Sequence, residues 1–188
     1  IIVGDCMLDL KKYLGSYKDL IFSDSCESKL VDIQELILKS SDSKIFVFGN
    51  GGSASIADHF AVDMTKNARV TTLSMNNSSM ITCLANDYGY EKWMQKCLEY
   101  YASPNDLVFL ISSSGQSQNV LNACNYANDN NITSITFTGF KTDNPLRKVG
   151  KINFWVDSRS YNIVENIHQI WILSIVDIII GKSEYSAS

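Results

Sequence analysis

The chain has 188 residues, of which 45% are hydrophobic and 19% are charged, enough for one well-buried domain and short for two. Its formal net charge is −4, and its lysines and arginines form no cluster larger than a scattered pair, so we expect no nucleic-acid binding. Five cysteines form no CxxC pair and no secretory leader is visible, which predicts reduced thiols and a cytoplasmic protein. We therefore expect a single domain over residues 1–188.

The N-terminal part of the sequence predicts two helices, over Met7–Ile21 and Cys26–Ser40. The second carries apolar residues at helical spacing, which is typical of a helix that packs on a core. A subunit contact is the alternative interpretation. We expect residues 1–42 to form an N-terminal helical pair on an α/β core of residues 43–188.

After this pair, short β-branched or aromatic runs alternate with helical patterns. Such alternation indicates βαβ units, so we predict an α/β fold with a five-stranded parallel sheet flanked by helices. The predicted strands are Lys44–Phe48, Arg69–Leu73, Leu107–Ile111, Ile132–Thr136 and Ile152–Trp155. The predicted helices are Ser53–Thr65, Ser79–Leu84, Glu91–Tyr101, Ser117–Asn128, Asn144–Val149 and Asn162–Ile180. The last helix is strongly apolar, but the ionisable residues within it argue against a membrane span.

A glycine-rich turn, Gly49–Ser53, follows the first predicted strand. Its three glycines let the backbone turn sharply and let a ligand approach main-chain N–H groups. A helix that starts there points its unpaired N–H groups and the positive end of its dipole at the turn. This arrangement favours an anion such as phosphate, although an ordinary βα turn with glycines is the alternative.

A serine-rich turn, Ser112–Ser117, follows the third predicted strand. Its four hydroxyls can both donate to and accept from the oxygens of a phosphate. Because ligands bind beyond the carboxyl ends of the strands in an open parallel sheet, we expect both turns at one edge of the sheet. A serine cluster alone fits a polar loop, whereas two such turns together favour phosphate-ester binding.

The two histidines of the chain each lie near a carboxylate at helical spacing. His59 precedes Asp63 by four residues, and Glu165 precedes His168 by three. A carboxylate and an imidazole from each of two helices suit acid–base catalysis or a metal site. A solvated surface pair and a core histidine are the alternative interpretations.

Asn86 and Asp87 form a third polar patch, shortly before Gly89. An amide beside a carboxylate can hydrogen-bond neighbouring hydroxyls of a sugar. The same residues can also begin an ordinary turn that the glycine closes.

In this order and spacing, the segments GNGGSAS, HFAVD, ANDYGYE, ISSSGQSQNV and IVENIH resemble the sugar isomerase (SIS) domain proteins, and among them the phosphoheptose isomerases. The resemblance runs from about Lys44 to the C-terminus. It implies a flavodoxin-like sheet and a homotetramer with active sites at subunit interfaces. It also implies conversion of sedoheptulose 7-phosphate to D-glycero-D-manno-heptose 7-phosphate, a precursor of bacterial surface polysaccharides.

The resemblance also implies which residues form the site. The residues that would contact the phosphosugar are Asn50, Gly51, Gly52, Ser53, Asn86, Asp87, Ser112, Ser113, Ser114 and Ser117. From the ionisable residues of the chain itself, the candidates for proton transfer are Asp63, Glu165 and His168.

The chain departs from the metal-dependent phosphoheptose isomerases, which have His-xxx-Glu on the first helix and a Gln and a second His on the last. Asp63 stands at the glutamate position, Glu165 at the glutamine position and Leu173 at the position of the second histidine. Leucine neither ligates a metal nor passes a proton. We therefore expect that no cofactor is required, and a zinc ion held by His59, Asp63 and Glu165 is the alternative.

Together these features predict a cofactor-free aldose–ketose isomerase. Glu165 or Asp63 would remove the proton next to the carbonyl, and His168 or a bound metal would polarise the oxygens. Two alternatives stay open. One is an isomerase of another sugar phosphate, and the other is a non-catalytic phosphosugar-binding or scaffold protein, which the absence of the second histidine favours.

Overall fold

The computed structural model describes residues 8–22, 25–39 and 43–185. Within these ranges the chain forms eight helices and five strands. In chain order the elements are α1 (Leu10–Ile21), α2 (Cys26–Lys39), β1 (Ile45–Gly49), α3 (Gly52–Lys66), β2 (Thr72–Leu73), α4 (Ser78–Tyr88), α5 (Trp93–Tyr101), β3 (Leu107–Ser112), α6 (Gln118–Asp129), β4 (Thr133–Thr138), α7 (Pro145–Val149), β5 (Ile152–Trp155) and α8 (Tyr161–Ile180).

The five strands form one parallel sheet in the order β2-β1-β3-β4-β5. From β1 the chain first adds β2 on one side, and it then returns to add β3, β4 and β5 on the other. The direction of strand addition therefore switches between β1 and β3, as in flavodoxin-like folds. The predicted fold class is confirmed.

Successive side chains of each strand point to opposite faces of the sheet, and helices cover both faces. Ile45 and Val47 of β1 belong to the core under α1, α2, α3 and α8. Phe46 and Phe48 of the same strand belong to the core under α4, α5, α6 and α7. All residues of β1 and β3 are buried, as expected for parallel strands that are covered on both faces.

The two N-terminal helices are held differently. Helix α2 lies on the sheet, with Ile33 fully buried. Helix α1 has no buried residue, and it is tied to α8 by a hydrogen bond of 2.8 Å from Trp171 Nε1 to the carbonyl oxygen of Ile21. Leu10 and Leu14 on α1 are about two-thirds exposed, at 65% and 64%. Core packing therefore accounts for α2, and a subunit contact stays open for α1.

The second strand is shorter than predicted. Of the predicted strand Arg69–Leu73, only Thr72–Leu73 pairs with β1. Arg69 has a φ of +60°, which is left-handed rather than extended. The amide of Val70 then donates to the carbonyl oxygen of Met64 at 3.0 Å, so the chain folds back on α3 before it reaches the sheet edge.

The fourth helix is longer than predicted. It continues past Leu84 to Tyr88 and ends at Gly89, whose φ is +88°. Asn86 and Asp87 therefore lie in the last helical turn and not in a loop. The other predicted elements agree with the structure to within a few residues, and the predicted ends at Met7 and Ser40 lie outside the described residues.

Helix α8 is long and apolar enough to cross a membrane by length and composition alone. In the structure it packs against α1, α2, α3 and β4. Its buried residues, which include Ile167 and Ile172, belong to the core on that face of the sheet. Such contacts are those of the core helix of an α/β domain.

Phe137 lies at the centre of an aromatic row on this face, with ring centroids 6.2 Å from Phe109 and 4.7 Å from Phe154. We expect Phe137→Ala to lower the free energy of unfolding by about 3–5 kcal/mol, because it leaves a cavity in a closely packed core. Chemical denaturation at a fixed protein concentration measures this. Leu38→Ala, at a side chain that is 60% exposed, should change it by less than about 0.5 kcal/mol. Equal losses would contradict this view of the core.

Candidate active site

A pocket of about 320 Å³ opens at the carboxyl ends of β1 and β3, the two strands between which the direction of addition switches. Gly49 at the end of β1 pairs in register with Ile111 of β3, so the turns that follow start at the same level. The pocket is lined by Asn50, Gly51, Gly52, Ser53, Ile111, Ser112, Ser113, Ser114, Ser117, Tyr161 and Glu165. The structure thus brings the glycine turn and the serine turn together at the position where open α/β sheets bind ligands.

The glycine turn leads directly into α3. Gly51 has φ +56° and ψ −123°, a conformation that side chains strongly disfavour. No side chain caps the helix that begins at Gly52, and the amides of Ser53 and Ala54 make turn bonds to the carbonyl oxygens of Asn50 and Gly51, at 3.1 and 3.0 Å. A Cβ atom on Gly52 would overlap Glu165 Oε2. The glycine is therefore what lets the carboxylate of α8 approach the start of α3.

The serine turn is held by its own backbone and by α7. Gly115 has a φ of +64°, and a Cβ there would overlap Oδ1 of Asn144. Ser112 Oγ donates to Ser117 Oγ at 3.3 Å, and Ser114 Oγ accepts from the amide of Gln116 at 3.2 Å. These hydroxyls still offer donors and acceptors to a ligand. The turn therefore presents several neutral polar groups on one small surface.

Three helices, α3, α6 and α8, begin at the pocket without a side-chain cap. In contrast, side-chain oxygens cap α1, α4 and α7. Helix α5 also lacks a cap, but none of its residues lines the pocket. Uncapped helix N-termini leave N–H groups that water or an anion satisfies. Their convergence therefore makes the pocket suitable for an anionic group.

Asn50 is fixed by a network that the sequence did not reveal. It exchanges two hydrogen bonds with Asn119 of α6, at 3.1 and 3.0 Å. Its Oδ1 also accepts a bond of 3.0 Å from the hydroxyl of Tyr90. Because this network joins the glycine turn to α6, it fixes the distance between the two turns. Asn119 sits in the first helical turn after the serines, but no sequence pattern identifies its partner.

Glu165 supplies the only carboxylate among the described residues that line the pocket. Its side chain is half-buried, and Ser113 Oγ lies 3.5 Å from its Oε1. No lysine, arginine or histidine of the described ranges forms an ion pair with it. A carboxylate held in this way, free of a neutralising cation, is a chemically suitable base.

His168 lies in the core and not in the pocket, so the predicted polarising role of this residue is wrong. The side chain is 0% exposed, its Nε2 donates to the carbonyl oxygen of Thr138 at 3.0 Å, and its Nδ1 has no hydrogen-bond partner. Burial lowers the pKa of the imidazole to about 4. The ring is therefore neutral near pH 7. Spacing alone could not reveal that the sheet covers this side of α8.

The buried imidazole gives stability a specific pH dependence. Because its pKa is about 4 in the folded chain and 6.5 when unperturbed, the unfolded chain binds the proton first as the pH falls. We expect the free energy of unfolding to drop by about 2 kcal/mol between pH 7 and pH 5, relative to the His168→Gln variant. Urea denaturation of both proteins at the two pH values measures this difference. Parallel curves would show that burial does not lower the pKa of the imidazole in the folded state.

His59 and Asp63 pair with each other on α3, outside the pocket. Nε2 of the histidine lies 3.2 Å from Oδ2 of the aspartate. Gln169 Nε2 lies 3.5 Å from His59 Nδ1, and Asn67 donates to Asp63 Oδ1 at 3.2 Å. Within the described parts of the chain, no three His, Cys, Asp or Glu side chains form a group able to hold a metal ion. A single chain therefore does not assemble the alternative zinc set of these two residues and Glu165, nor does it place Asp63 at the pocket.

Asn86 and Asp87 are exposed on α4 and do not line the pocket of their own chain. Asn86 Nδ2 donates to Asp87 Oδ1 at 2.9 Å. Three residues after Asp87, the hydroxyl of Tyr90 donates to Oδ1 of Asn50, which lines the pocket. Their predicted contact with a sugar stays a prediction.

The comparisons with known proteins agree with this geometry. The SIS domain family matches residues 22–139. A probable phosphoheptose isomerase of Thermoplasma acidophilum is 35% identical over 170 residues, which cover 86% of this chain and 92% of that protein. This chain belongs to the phosphoheptose isomerase family of SIS domain proteins. The assignment that its sequence motifs predicted is confirmed.

Further members of the phosphoheptose isomerase family match along most of the chain. The phosphoheptose isomerase of Helicobacter pylori is 30% identical over 175 residues, covering 85% of this chain and 91% of that protein. The structure of phosphoheptose isomerase GmhA from Neisseria gonorrhoeae superimposes with a TM-score of 0.78 at 26% identity, covering 90% of this chain and 99% of that one. The similarity thus extends over most of the chain.

Proposed function

We propose that this member of the phosphoheptose isomerase family is an aldose–ketose isomerase that converts sedoheptulose 7-phosphate to D-glycero-D-manno-heptose 7-phosphate. One observation carries the proposal: a single pocket joins two glycine- and serine-rich turns to one carboxylate. The turns suit a phosphate, and the carboxylate suits proton transfer between neighbouring carbons. The names of the relatives support a heptose as the substrate.

The phosphate would be held by neutral donors. No lysine or arginine is among the described residues that line the pocket. The N–H groups at the starts of α3 and α6 and the hydroxyls of the serine turn provide the hydrogen bonds instead. Binding by oriented neutral donors places no cation beside the carboxylate of Glu165.

Glu165 would transfer the proton. Its carboxylate removes a proton from C1 of the ketose, the C–H electron pair forms a C1–C2 double bond, and the oxygen on C2 becomes an enediolate oxygen. The protonated Glu165 then returns the proton to C2, while the proton of the C1 hydroxyl passes to the oxygen on C2, which leaves an aldehyde at C1 and a hydroxyl at C2. Donors preorganised around the pocket stabilise the charge on the enediolate.

We propose that this reaction requires no cofactor. The support is the donor set: Leu173 stands where the metal-dependent members have a histidine, and His59 and Asp63 bond to each other outside the pocket. These residues do not fit a zinc ion within one chain. The carboxylate and the neutral donors of the pocket are sufficient for the proton transfer described above.

We also propose a cytoplasmic homotetramer that binds neither nucleic acid nor membrane. Exposed apolar residues on α1, such as Leu14 at 64%, support burial against a second copy. Asn86 and Asp87 lie exposed, and a neighbouring copy that approached the pocket could bring these side chains to the sugar. Sedimentation of the purified protein gives the number of copies.

The decisive test is turnover. Purified protein incubated with sedoheptulose 7-phosphate should yield an aldoheptose 7-phosphate, detected by NMR, both with added zinc and after treatment with a chelator. Metal analysis of the same sample shows whether zinc remains. No product under either condition would overturn the proposal.

Two other functions give different results in the same assays. An isomerase of another phosphosugar would turn over a pentose or hexose phosphate faster than the heptose phosphate. A non-catalytic binding protein, which the leucine at position 173 favours, would bind phosphosugars by calorimetry without converting any of them.

A further inference from the structure

We propose that His168 is a positioning residue, which holds the helix of Glu165 against the serine turn through the end of β4. The catalytic consequence rests on the proposed function, whereas the structural connection does not. Two junctions at the end of β4 carry the inference.

The first junction is a pair of hydrogen bonds at neighbouring residues. The carbonyl oxygen of Thr138 accepts from His168 Nε2 at 3.0 Å and from the amide of Val156 at 2.9 Å. The amide of the next residue, Gly139, donates to the carbonyl oxygen of Ser113 at 2.9 Å. One side of this junction therefore holds α8, and the other side holds the serine turn.

The second junction is a close contact between α8 and the strand end. A Cβ atom on Gly139 would lie 2.7 Å from Val164 Cγ1 and 3.2 Å from the carbonyl oxygen of Ser113. The residue that follows Val164 is Glu165, whose Oε1 lies 3.5 Å from Ser113 Oγ. The end of β4 thus contacts α8 next to Glu165, and the carboxylate of Glu165 in turn contacts the serine turn.

Packing alone does not account for an imidazole at this place. His168 is fully buried, and its Nδ1 has no partner. An unpaired polar atom in a core destabilises the fold relative to an apolar side chain of similar shape. The imidazole supplies an N–H donor at Nε2 to the carbonyl oxygen of Thr138, which a leucine side chain lacks. That donor fixes the rotation of α8 about its axis, and with it the direction of Glu165.

Three variants separate this role from a general effect on stability. His168→Leu removes the donor, whereas His168→Gln retains an N–H donor at the end of its side chain. Trp171→Phe is the matched control, because it removes the bond that ties α8 to Ile21 of α1 instead of to β4. If His168→Leu does not fold, Gly139→Ala disturbs the same junction from the strand side.

Hydrogen–deuterium exchange tests the connection without any need for activity. We expect faster exchange at the Gly139 amide and in the turn 112–117 in His168→Leu, rates near those of the wild type in His168→Gln, and no change there in Trp171→Phe. Unchanged exchange in this turn, or an equal increase in the tryptophan control, would overturn the positioning role.

Kinetics tests the catalytic consequence. We expect His168→Leu to lower kcat for sedoheptulose 7-phosphate by about tenfold to a hundredfold with KM within about twofold, because a small displacement of a reacting group is costly. His168→Gln should recover most of the loss. An unchanged kcat in His168→Leu would overturn this part. Absence of turnover in the wild type would instead refute the proposed isomerase, and the exchange experiment would then decide the positioning role by itself.

Discussion

Glu165→Gln is expected to lower kcat for sedoheptulose 7-phosphate by about a hundredfold to ten-thousandfold, the usual contribution of a general base. The substitution keeps the shape of the side chain and removes only its ability to accept the proton. Phosphosugar binding should survive within a few-fold, because the N–H and hydroxyl groups that line the pocket do not include the carboxylate of Glu165. Turnover followed by NMR and affinity measured by calorimetry separate the two effects.

Asp177→Asn is the matched control for this experiment, since it makes the same change of charge on the same helix outside the pocket. It should leave kcat unchanged. Glutamine is also the residue that the metal-dependent phosphoheptose isomerases have at the position of Glu165. Turnover in Glu165→Gln that appears only with added zinc would show that a metal route is accessible to this scaffold once position 165 carries glutamine.

The fold was predictable because its signals are local. Each buried strand is a short apolar run between turns, and the glycines and serines that follow β1 and β3 mark where the backbone must bend. The parallel order then places both turns at one edge. The error at β2 also has a local cause: Arg69 adopts a left-handed conformation that a β-branched run does not reveal.

The side-chain geometry of the site was less predictable, because it depends on how helices rotate against the sheet. Glu165 and His168 are three residues apart on α8, yet the first lines the pocket and the second faces the core. The bonds between Asn50 and Asn119 join turns that are far apart in sequence. The spacing of residues along a helix indicates which of them share a face, but only the packed structure shows what that face contacts.

Gly52→Ala is expected to reduce turnover by about a hundredfold while the fold is retained, since a misplaced reacting group has an effect of this size. The new Cβ would overlap Glu165 Oε2 and lie 2.9 Å from its Cδ, so the carboxylate must leave its place. Stability should not suffer, because alanine forms helix more readily than glycine by about 1 kcal/mol. Kinetics together with chemical denaturation measures both parts.

The control is Gly15→Ala on α1, where no atom lies within 4 Å of the added Cβ. It should stabilise the helix slightly and leave turnover unchanged.

A double-mutant cycle identifies the cause of the loss in Gly52→Ala. If the methyl group acts by displacing the carboxylate, it should have little further effect once the carboxylate is gone. The loss in Gly52→Ala and the loss in Glu165→Ala should then be strongly non-additive. Additive losses would show that the methyl group blocks the phosphate turn itself, and that Gly52 serves the anion and not the base.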